Sequence, residues 1–439
     1  CRLPVSICME QRRRLFFLSP ELHTGQVQAI TGTPCDVPVP KKVTFIFKYD
    51  RKISFSLTLS FTLHIEMKYY IIAGEASGDL HGAGLIKALH KSDPEAQIRC
   101  WGGELMQTAG AELVKHYREL AFMGFTEVIM NLPEILRNLR FCKTDVLNFR
   151  PDVIILIDYP GFNMRIASFA RAHNIKVYYY ISPQIWAWKQ NRGWKLKKTV
   201  DRMFVILPFE KAFYKRFDME VSYHGHPLID VIGTFNKDIT FFERHALDAT
   251  KKIIALLPGS RTQEIKRMLR TMLEATKEMS EYQVVVAAAP SIENEFYYQV
   301  AGNADFKIVK GDTYQLLSHA HMAAVTSGTA TLETGLFGVP MVVCYAGGRV
   351  SYLLAKQLIK VKYISLVNLI LNKSAIPELI QHDMNKQRLK NELSLIGDEQ
   401  SSIRIEMLNA LQQLRGMCGE PGVAERIATE MVKLLKQAE

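Results

Sequence analysis

The chain has 439 residues, of which 48% are hydrophobic and 23% charged, and this composition excludes a disordered chain, a collagen and a small disulfide scaffold. It is long enough for two or more domains, and no stretch approaches the roughly 20 apolar residues that span a bilayer. The net charge of +11 favours anionic partners such as nucleotides, phospholipid surfaces or nucleic acid. Seven scattered cysteines without a C-x-x-C pair indicate a reducing compartment.

Residues 1–66 differ from the rest of the chain. Three arginines at positions 12–14 have no long apolar core behind them, so this segment lacks the layout of a secretory signal. Apolar and polar residues alternate over 53–65, which is the pattern of a β-strand. We expect residues 1–66 to be a leader outside the functional protein, which then starts at Met67.

From Met67 onward, short buried-strand runs alternate with helical stretches, which predicts parallel sheets covered by helices on both faces. The alternation occurs twice and lapses between about 233 and 250. We therefore expect an α/β protein of two Rossmann-like domains, over 67–235 and 236–412. The predicted strands cover residues 69–73, 153–157, 177–181, 203–207, 252–257, 283–287, 322–326 and 340–345.

Sheets of this kind bind ligands at the carboxyl ends of their strands, so the loops after the strands are the candidate sites. The first of these loops, GEASGDLHGAG at 74–84, opens a helix but does not match the dinucleotide fingerprint G-x-G-x-x-G. Its polar residues Glu75, Ser77 and Asp79 either hydrogen-bond a sugar or cap the helix. For Asp79 we favour the cap.

Asp158 is the strongest catalytic candidate of the first domain. It follows five apolar strand residues in LIDYPGFN and so lies at the edge of the predicted sheet. Partial burial at such an edge raises the proton affinity of a carboxylate toward that of a useful general base. The alternative is structural: Asp158 caps the helix predicted around 164–173, or pairs with Arg165.

Three of the four tryptophans lie among lysines and arginines within residues 182–198. Aromatic side chains interleaved with cations can stack on bases, on sugars or at a membrane interface. A core helix with a solvated basic face explains the same pattern equally well.

Two strand-to-helix junctions of the second domain offer seats for an anion. In LLPGSRTQE, the turn at Gly259, Ser260 and Arg261 supplies backbone N–H donors and a guanidinium, which together suit a diphosphate. In TSGTATLE, Glu333 lies one helical turn beyond Thr329 and can reach a ribose hydroxyl pair. The sequence has no D-x-D pair, clustered Cys/His set or P-loop, which disfavours a metal-bridged diphosphate and ATP chemistry.

Residues 122–140 place apolar side chains at three- and four-residue spacing, followed by cations. The default interpretation is a helix packed on the core, with Pro133 at a kink or a restart. The alternative is a helix lying in a membrane surface, where the cations would meet anionic headgroups. The expected membrane contacts are Phe125, Val128, Ile129, Leu132, Ile135 and Leu136.

Six strings, in this order and spacing, resemble those of the lipid-A-disaccharide synthase family: GEASGD, IDYPGFN, SPQIWAWK, LPFEKAFY, LLPGSR and SGTATLE. The resemblance covers residues 67–439 and implies the GT-B fold, in which two Rossmann-like domains face a cleft. It also implies an inverting glycosyl transfer without metal or cofactor. The diacylglucosamine of UDP-2,3-diacylglucosamine is joined to the 6-hydroxyl of 2,3-diacylglucosamine 1-phosphate, and UDP is released.

The resemblance also implies roles for individual residues. Asp158 matches the family's essential aspartate and would be the base, whereas Arg261 matches the essential arginine and would stabilise the leaving UDP. The expected UDP-binding residues are Gly259, Ser260, Arg261, Ser327, Gly328, Thr329, Glu333 and Asn368. The expected sugar or acceptor contacts are Glu75, Ser77, Asn163 and Trp188.

Because both substrates carry acyl chains, the resemblance implies that the apolar segment 122–140 inserts into the inner leaflet. We expect a cytoplasmic protein that associates peripherally with the inner membrane and binds no nucleic acid. We expect residues 413–439 to form a helix that packs back on an N-terminal domain. Family members can form homodimers in which the C-terminal segment crosses to the partner.

Two other functions fit parts of the sequence. Another GT-B enzyme, a UDP-sugar transferase or an epimerase, would use a donor without acyl chains. A non-catalytic RNA-binding protein built on the basic, tryptophan-rich stretch would show steeply salt-dependent nucleic-acid affinity and no turnover. Neither of them explains all six strings.

Overall fold

The computed structural model describes residues 42–49, 53–60, 66–120, 132–348 and 361–437. The chain divides into two units, which are residues 1–65 and residues 66–439. The described part of the first unit is one antiparallel pair of strands, β1 (Lys42–Tyr49) and β2 (Ile53–Ser60). The strand predicted over 53–65 is therefore confirmed over Ile53–Ser60, and residues 61–65 lie outside the described residues.

Two parallel sheets, each following the predicted alternation of strand and helix, form the second unit. The first sheet comprises β3 (Lys68–Ala73), β4 (Gln97–Gly102), β5 (Glu112–His116), β6 (Val153–Ile157), β7 (Lys176–Tyr180), β8 (Arg202–Val205) and β9 (Ser222–Tyr223). The second comprises β10 (Lys252–Leu257), β11 (Tyr282–Ala288), β12 (Lys307–Lys310), β13 (Ala320–Thr326), β14 (Met341–Tyr345) and β15 (Glu378–Ile380).

The strand order of each sheet reverses near its centre. The first sheet runs β5-β4-β3-β6-β7-β8-β9, and the second runs β12-β11-β10-β13-β14-β15. The chain therefore turns outward in opposite directions after β3 and β6, and again after β10 and β13. Loops that diverge in this way leave a crevice at the carboxyl ends of the two strands, which is where such sheets bind ligands.

Helices connect the strands and cover the sheets. With the first sheet lie α1 (Ala76–Ser92), α2 (Glu104–Thr108), α3 (Leu132–Phe149), α4 (Pro160–Ala172), α5 (Gly193–Thr199), α6 (Glu210–Lys215) and α7 (Leu228–Gly233). There follow α8 (Phe241–Arg244), α9 (Thr262–Thr276), α10 (Asn294–Ala301), α11 (Thr313–His319), α12 (Thr329–Leu336), α13 (Leu366–Leu371), α14 (Lys386–Gly397), α15 (Ser402–Met417) and α16 (Val423–Lys436).

The central strands form the core because helices cover both of their faces. All five residues of β6 are buried, as are the last five of β3 and of β10. A strand buried on both faces is apolar at successive positions rather than at alternate ones. This is why the sequence pattern predicted these strands closely.

The C-terminal helix α16 packs on α1, beside the first sheet. Its residues Val423, Ile427 and Met431 are buried in one cluster with Leu85 and Leu89 of α1. The chain therefore crosses between the two sheets twice, once after β9 and once before α16.

The two crossing segments are in direct contact. The backbone N–H of His226 donates to the carbonyl oxygen of Cys418 at 2.7 Å. Gly225 has φ +112, and a Cβ at this position would lie 2.8 Å from the same oxygen, so only glycine allows the approach. The carboxylate of Asp230 accepts from the N–H groups of Gly422 and Ala424, at 2.7 and 2.8 Å, and so caps the start of α16.

Within the described ranges, no helix combines the length and apolar character needed to cross a membrane. Four cysteines of these ranges, Cys100, Cys142, Cys344 and Cys418, are buried free thiols.

Candidate active site

The candidate site lies where the loops after β3 and β6 approach the loop after β10. Glu75, in the loop after β3, is partly buried, and this burial raises the pKa of its carboxyl group. The positive charge of Arg261, in the loop after β10, lowers the same pKa by a smaller amount. This effect of Arg261 on Glu75 indicates that the loops after β3 and β10 approach each other across the site.

Asp158 follows β6 directly and has an unusual backbone conformation. Asp158 and Tyr159 both have positive φ angles, +43 and +46, a region that non-glycine residues rarely adopt and that concentrates at functional sites. Tyr159 rather than Asp158 occupies the N-cap position of α4, so the alternative in which Asp158 caps this helix is wrong.

Hydrogen bonds from neighbouring elements hold the turn at Asp158. The backbone N–H of Asp158 donates to the carbonyl oxygen of Ile181 at 3.1 Å. Its own carbonyl oxygen accepts from the Tyr179 hydroxyl at 2.6 Å and from the Asn163 amide at 2.9 Å. The surrounding structure therefore stabilises a strained turn that the local sequence does not favour.

The environment of Asp158 suits proton transfer near neutral pH. Burial is the largest effect, and it raises the pKa of Asp158 to about 7 together with the negative charges of Glu75 and Glu210. A backbone hydrogen bond from Tyr159 acts in the opposite direction. A carboxyl group with a pKa near the working pH is an efficient general base.

Gly74 connects the GEASGD and IDYPGFN loops physically. A Cβ at Gly74 would lie 2.4 Å from Cγ of Tyr159, so the tyrosine ring packs directly on the glycine backbone. The same ring stacks on Phe162 at 5.5 Å between centroids, and its hydroxyl donates to the Leu120 carbonyl oxygen at 3.3 Å. The loop that carries Glu75 and the turn that carries Asp158 therefore pack as one assembly.

The remaining polar residues of the GEASGD loop have different positions. Ser77 is exposed, whereas the buried carboxylate of Asp79 accepts from the N–H groups of Gly103 and Met106, at 2.7 and 3.1 Å. Asp79 is therefore a helix cap, as predicted, but it caps α2 and not α1. The N–H groups that it accepts from lie in a later part of the chain.

Asn163 and Asn368 are fully buried, and neither side chain reaches the site surface. The Asn163 amide donates to the carbonyl oxygen of Ile157 at 3.1 Å, in addition to that of Asp158. Asn368 accepts from the N–H of Ala375 at 2.8 Å and donates to Glu378 at 2.9 Å. Both amides donate to buried groups of their own domain, and their contacts with ligands stay a prediction.

Glu210, in LPFEKAFY, is a buried carboxyl group that is not among the sequence-predicted site residues. It accepts from the N–H groups of Ile206 and Leu207, at 3.2 and 2.9 Å, and from the hydroxyl of Ser182. Burial raises its pKa to about 7. Glu210 thus ties the start of α6 to the SPQIWAWK loop, and the available signal was an acidic residue in the first turn of a predicted helix.

The Gly-Ser-Arg turn after β10 has the donors that a diphosphate needs. Gly259 has φ +111, which allows the sharp turn into α9. Ser260 and Arg261 are exposed, and their N–H groups donate to Oε2 of Glu264 at 3.1 and 3.3 Å. The Arg261 guanidinium lies 3.0 Å from Oε1 of the same carboxylate.

The second anion seat lies between β13 and α12. The Ser327 hydroxyl donates to the Ile364 carbonyl oxygen at 3.0 Å, whereas Gly328 and Thr329 are exposed. No atom lies within 4 Å of a Cβ built on Gly328, so this junction is open. Glu333 accepts from the Tyr314 hydroxyl at 2.8 Å, and burial raises the pKa of its carboxyl group.

The tryptophan-rich segment 182–198 contains both a core tryptophan and a surface tryptophan. Trp186 is buried and meets Phe209 edge to face at 5.1 Å between ring centroids. Trp188 is 42% exposed, and the Lys189 ammonium lies 4.3 Å from the centre of its ring. Trp188 therefore presents an aromatic surface with a cation beside it, while Trp186 belongs to the core.

The predicted membrane stripe is described only in part. Phe125, Val128 and Ile129 lie outside the described residues. The helix α3 begins at Leu132, with Pro133 in its first turn, where proline is well tolerated. Leu132 and Leu136 are 46% and 43% exposed, whereas Ile135 packs against the core.

A model of the family described as lipid-A-disaccharide synthetase matches residues 69–419 of this chain. The chain belongs to this family. Its similarity to the lipid-A-disaccharide synthase of Syntrophus aciditrophicus (strain SB) is 40% identity over 380 residues, covering 84% of this chain and 98% of that protein. The chain is therefore a UDP-sugar glycosyltransferase that condenses UDP-diacylglucosamine in lipid A synthesis, as the six strings predicted.

Solved structures share the fold at much lower identity. A putative UDP-N-acetylglucosamine 2-epimerase from Listeria monocytogenes gives a TM-score of 0.59 at 13% identity, covering 85% of this chain and 98% of that chain. The glycotransferase of kitacinnamycin gives 0.56 at 13%, covering 84% and 99%. The predicted GT-B fold is confirmed. An epimerase shares the fold alone, so the sequence family decides between the two enzyme functions.

Proposed function

We propose that Asp158 and Arg261 carry the two halves of the glycosyl transfer. Asp158 takes the proton of the acceptor 6-hydroxyl as that oxygen attacks the anomeric carbon of the donor sugar. The bond from that carbon to the diphosphate breaks, and UDP leaves from the opposite side. The observation that carries this proposal is the partly buried Asp158, with a pKa of about 7, on the edge that faces Arg261.

Arg261 stabilises the negative charge that develops on the leaving diphosphate. The guanidinium and the N–H groups at Ser260 and Gly328 are donors fixed by the two strand-to-helix turns. Donors that are already oriented stabilise a developing anion without reorganising during the reaction. These groups supply the positive charge that a metal ion provides in other transferases, so we propose a metal-independent reaction whose turnover is unchanged by a chelator.

The other predicted residues divide into ligand contacts and positioning groups. We assign Glu333 to the ribose, with Ser327 and Thr329 beside the diphosphate, and Glu75, Ser77 and Trp188 to the sugars. Asn163 and Asn368 instead position the Asp158 turn and the loop before β15, because their amides are buried in those loops.

The test is an assay of the purified chain with UDP-2,3-diacylglucosamine and 2,3-diacylglucosamine 1-phosphate. Asp158→Asn keeps the size of the side chain but removes the base, so we expect kcat to fall about 10²- to 10⁴-fold. The exposed Asp218, which pairs with Lys197 at the surface, provides the matched control Asp218→Asn with unchanged kcat. A variant Asp158→Asn that keeps kcat and raises only the acceptor KM would make Asp158 a positioning residue.

We also propose that one face of α3 contacts the cytoplasmic surface of the inner membrane. Leu132, Leu136 and Arg140 recur every four residues and are exposed, so they form one solvent-facing stripe. An apolar stripe beside a cation suits the boundary between acyl chains and anionic headgroups, where both substrates present their sugars.

The membrane contact is tested by flotation with vesicles that contain anionic phospholipid. Leu136→Glu places a negative charge in the contact, and we expect the vesicle-bound fraction to fall about tenfold. Leu395 lies on α14 with nearly the same exposure, 44% against 43%, so Leu395→Glu is the matched control and should bind as the wild type does. Equal losses in the two variants would contradict the assignment of α3.

A further inference from the structure

Glu264 occupies the donors that the proposed reaction assigns to the diphosphate. Its Oε2 accepts from the backbone N–H groups of Ser260 and Arg261, at 3.1 and 3.3 Å. Its Oε1 lies 3.0 Å from Nη1 of Arg261. One carboxylate of the chain thus makes both kinds of contact, amide and guanidinium, that a phosphate oxygen pair would make.

The turn is shaped to receive this carboxylate. A Cβ on Gly259 would lie 2.5 Å from Oε2 of Glu264, so the absence of a side chain at Gly259 lets the carboxylate lie over the turn. Glu264 belongs to the first turn of α9 and is itself partly exposed. At this position its carboxylate forms a capping box with the backbone N–H of Arg261, so a ligand that displaces it must satisfy that N–H group in its place.

A diphosphate and the Glu264 carboxylate cannot use these donors together. Both groups are anions that accept through oxygen, and two anions sharing the same N–H groups would repel each other at contact distance. Nucleotide binding at this turn therefore requires the carboxylate to leave.

We propose that Glu264 is a built-in occupant of the diphosphate seat, displaced when UDP or the UDP-sugar binds and restored when UDP leaves. The inference rests on the proposed function, since it takes the Gly-Ser-Arg turn as that seat. The carboxylate weakens nucleotide binding by competition and keeps the turn folded between reaction cycles. It also favours product release, a step that limits turnover in many enzymes.

The competing role for Glu264 is that of a permanent support that orients Arg261 for the diphosphate. The two roles predict opposite changes in affinity. Removing a competitor tightens UDP binding, whereas removing a support weakens it.

The experiment measures UDP binding to the full chain by isothermal titration calorimetry. Glu264→Gln removes the negative charge while keeping the shape, and we expect its Kd for UDP to be about two- to fivefold lower than that of the wild type. Glu274 lies on the same helix and is exposed, so Glu274→Gln is the matched control with an unchanged Kd. Arg261→Ala should raise the Kd.

The variant Glu264→Asp provides a second test in case Glu264→Gln does not fold. It keeps the charge but shortens the side chain by one methylene, so its carboxylate reaches the two N–H groups less well. Its Kd should change in the same direction by a smaller factor, with an unchanged heat-unfolding midpoint within a few degrees.

The outcomes separate the two proposals. If Arg261→Ala raises the Kd while Glu264→Gln leaves it unchanged or raises it, Glu264 is a support and the inference is overturned. If Arg261→Ala binds UDP as the wild type does, the diphosphate binds elsewhere. The role of Arg261 in the proposed function is then wrong. A lower Kd in Glu264→Gln together with a higher Kd in Arg261→Ala supports both.

Discussion

The two facing edges of the site are built in opposite ways. At the first sheet, Asp158 is held in a strained turn by buried groups, and burial raises its pKa to about 7. At the second sheet, Ser260, Arg261 and Gly328 are exposed. A carboxylate becomes a useful base only when it is partly removed from water, whereas a diphosphate site at the surface can exchange the Glu264 carboxylate for a charged ligand. The reacting carboxylate is therefore partly desolvated, whereas the groups proposed to hold the diphosphate stay at the surface.

Removing the guanidinium of the exposed diphosphate site should have the largest effect. Arg261→Ala deletes the guanidinium that faces the leaving diphosphate, and we expect kcat/KM for the UDP-sugar to fall about 10²- to 10³-fold. Arg267 is exposed on the same helix α9, so Arg267→Ala controls for general loss of positive charge. A similar loss in both variants would mean that long-range attraction, rather than a local contact, explains the effect.

The second prediction tests whether the buried edge depends on close packing. Gly74→Ala would push a methyl group into the Tyr159 ring, so we expect a loss of about 1–3 kcal/mol in the free energy of unfolding, together with reduced kcat. Gly84 lies within α1 with no atom within 4 Å of a Cβ, and Gly84→Ala should stabilise the chain by about 0.5–1 kcal/mol. Urea unfolding measures the difference in the free energy of unfolding between the two variants. If the Tyr159 ring can move away from the new methyl group, Gly74→Ala will not be destabilised.

The smallest expected effect is a change in stability with pH, caused by the buried carboxyl group of Asp158. The folded-state pKa of Asp158 is raised, so its stabilising contribution is complete below its ordinary value near 4 and is lost as pH rises through about 7. The variant Asp158→Asn does not titrate at this position, so it does not lose this stability as pH rises. We therefore expect its heat-unfolding midpoint, relative to that of the wild type, to rise by a few degrees between pH 5 and pH 8. A constant difference would show that Asp158 is ionised at both pH values.

The sequence predicted the central strands well and several outer strands poorly. The residues of β6 and β10 are continuous apolar runs because helices cover both faces of the sheet. The outer strands β5 and β12 have the sequences ELVKH and KIVK, with most residues partly or fully exposed. Their strand conformation comes from hydrogen bonds to a neighbouring strand, which a local pattern does not reveal.

The site residues also divide into those that a local sequence pattern predicts and those that depend on distant parts of the chain. Asp158 and Arg261 could be selected because each follows a recognisable strand and opens a helix. The partner of Asp79 is a helix reached only through a later loop, and the burial of Asn163 and Asn368 depends on how those loops close. The contact between Glu264 and the turn requires the actual geometry at Gly259, since an acidic residue in a first helical turn is common.

The pH dependence of kcat/KM shows whether Asp158 acts as the base. If ionised Asp158 is the base, kcat/KM of the wild type falls about tenfold per pH unit below an inflection near pH 7. The residual activity of Asp158→Asn should then show no such inflection. The same inflection in the variant would assign the titration to another group, and a flat wild-type profile from about pH 5.5 to 8 would contradict the proposed role of Asp158.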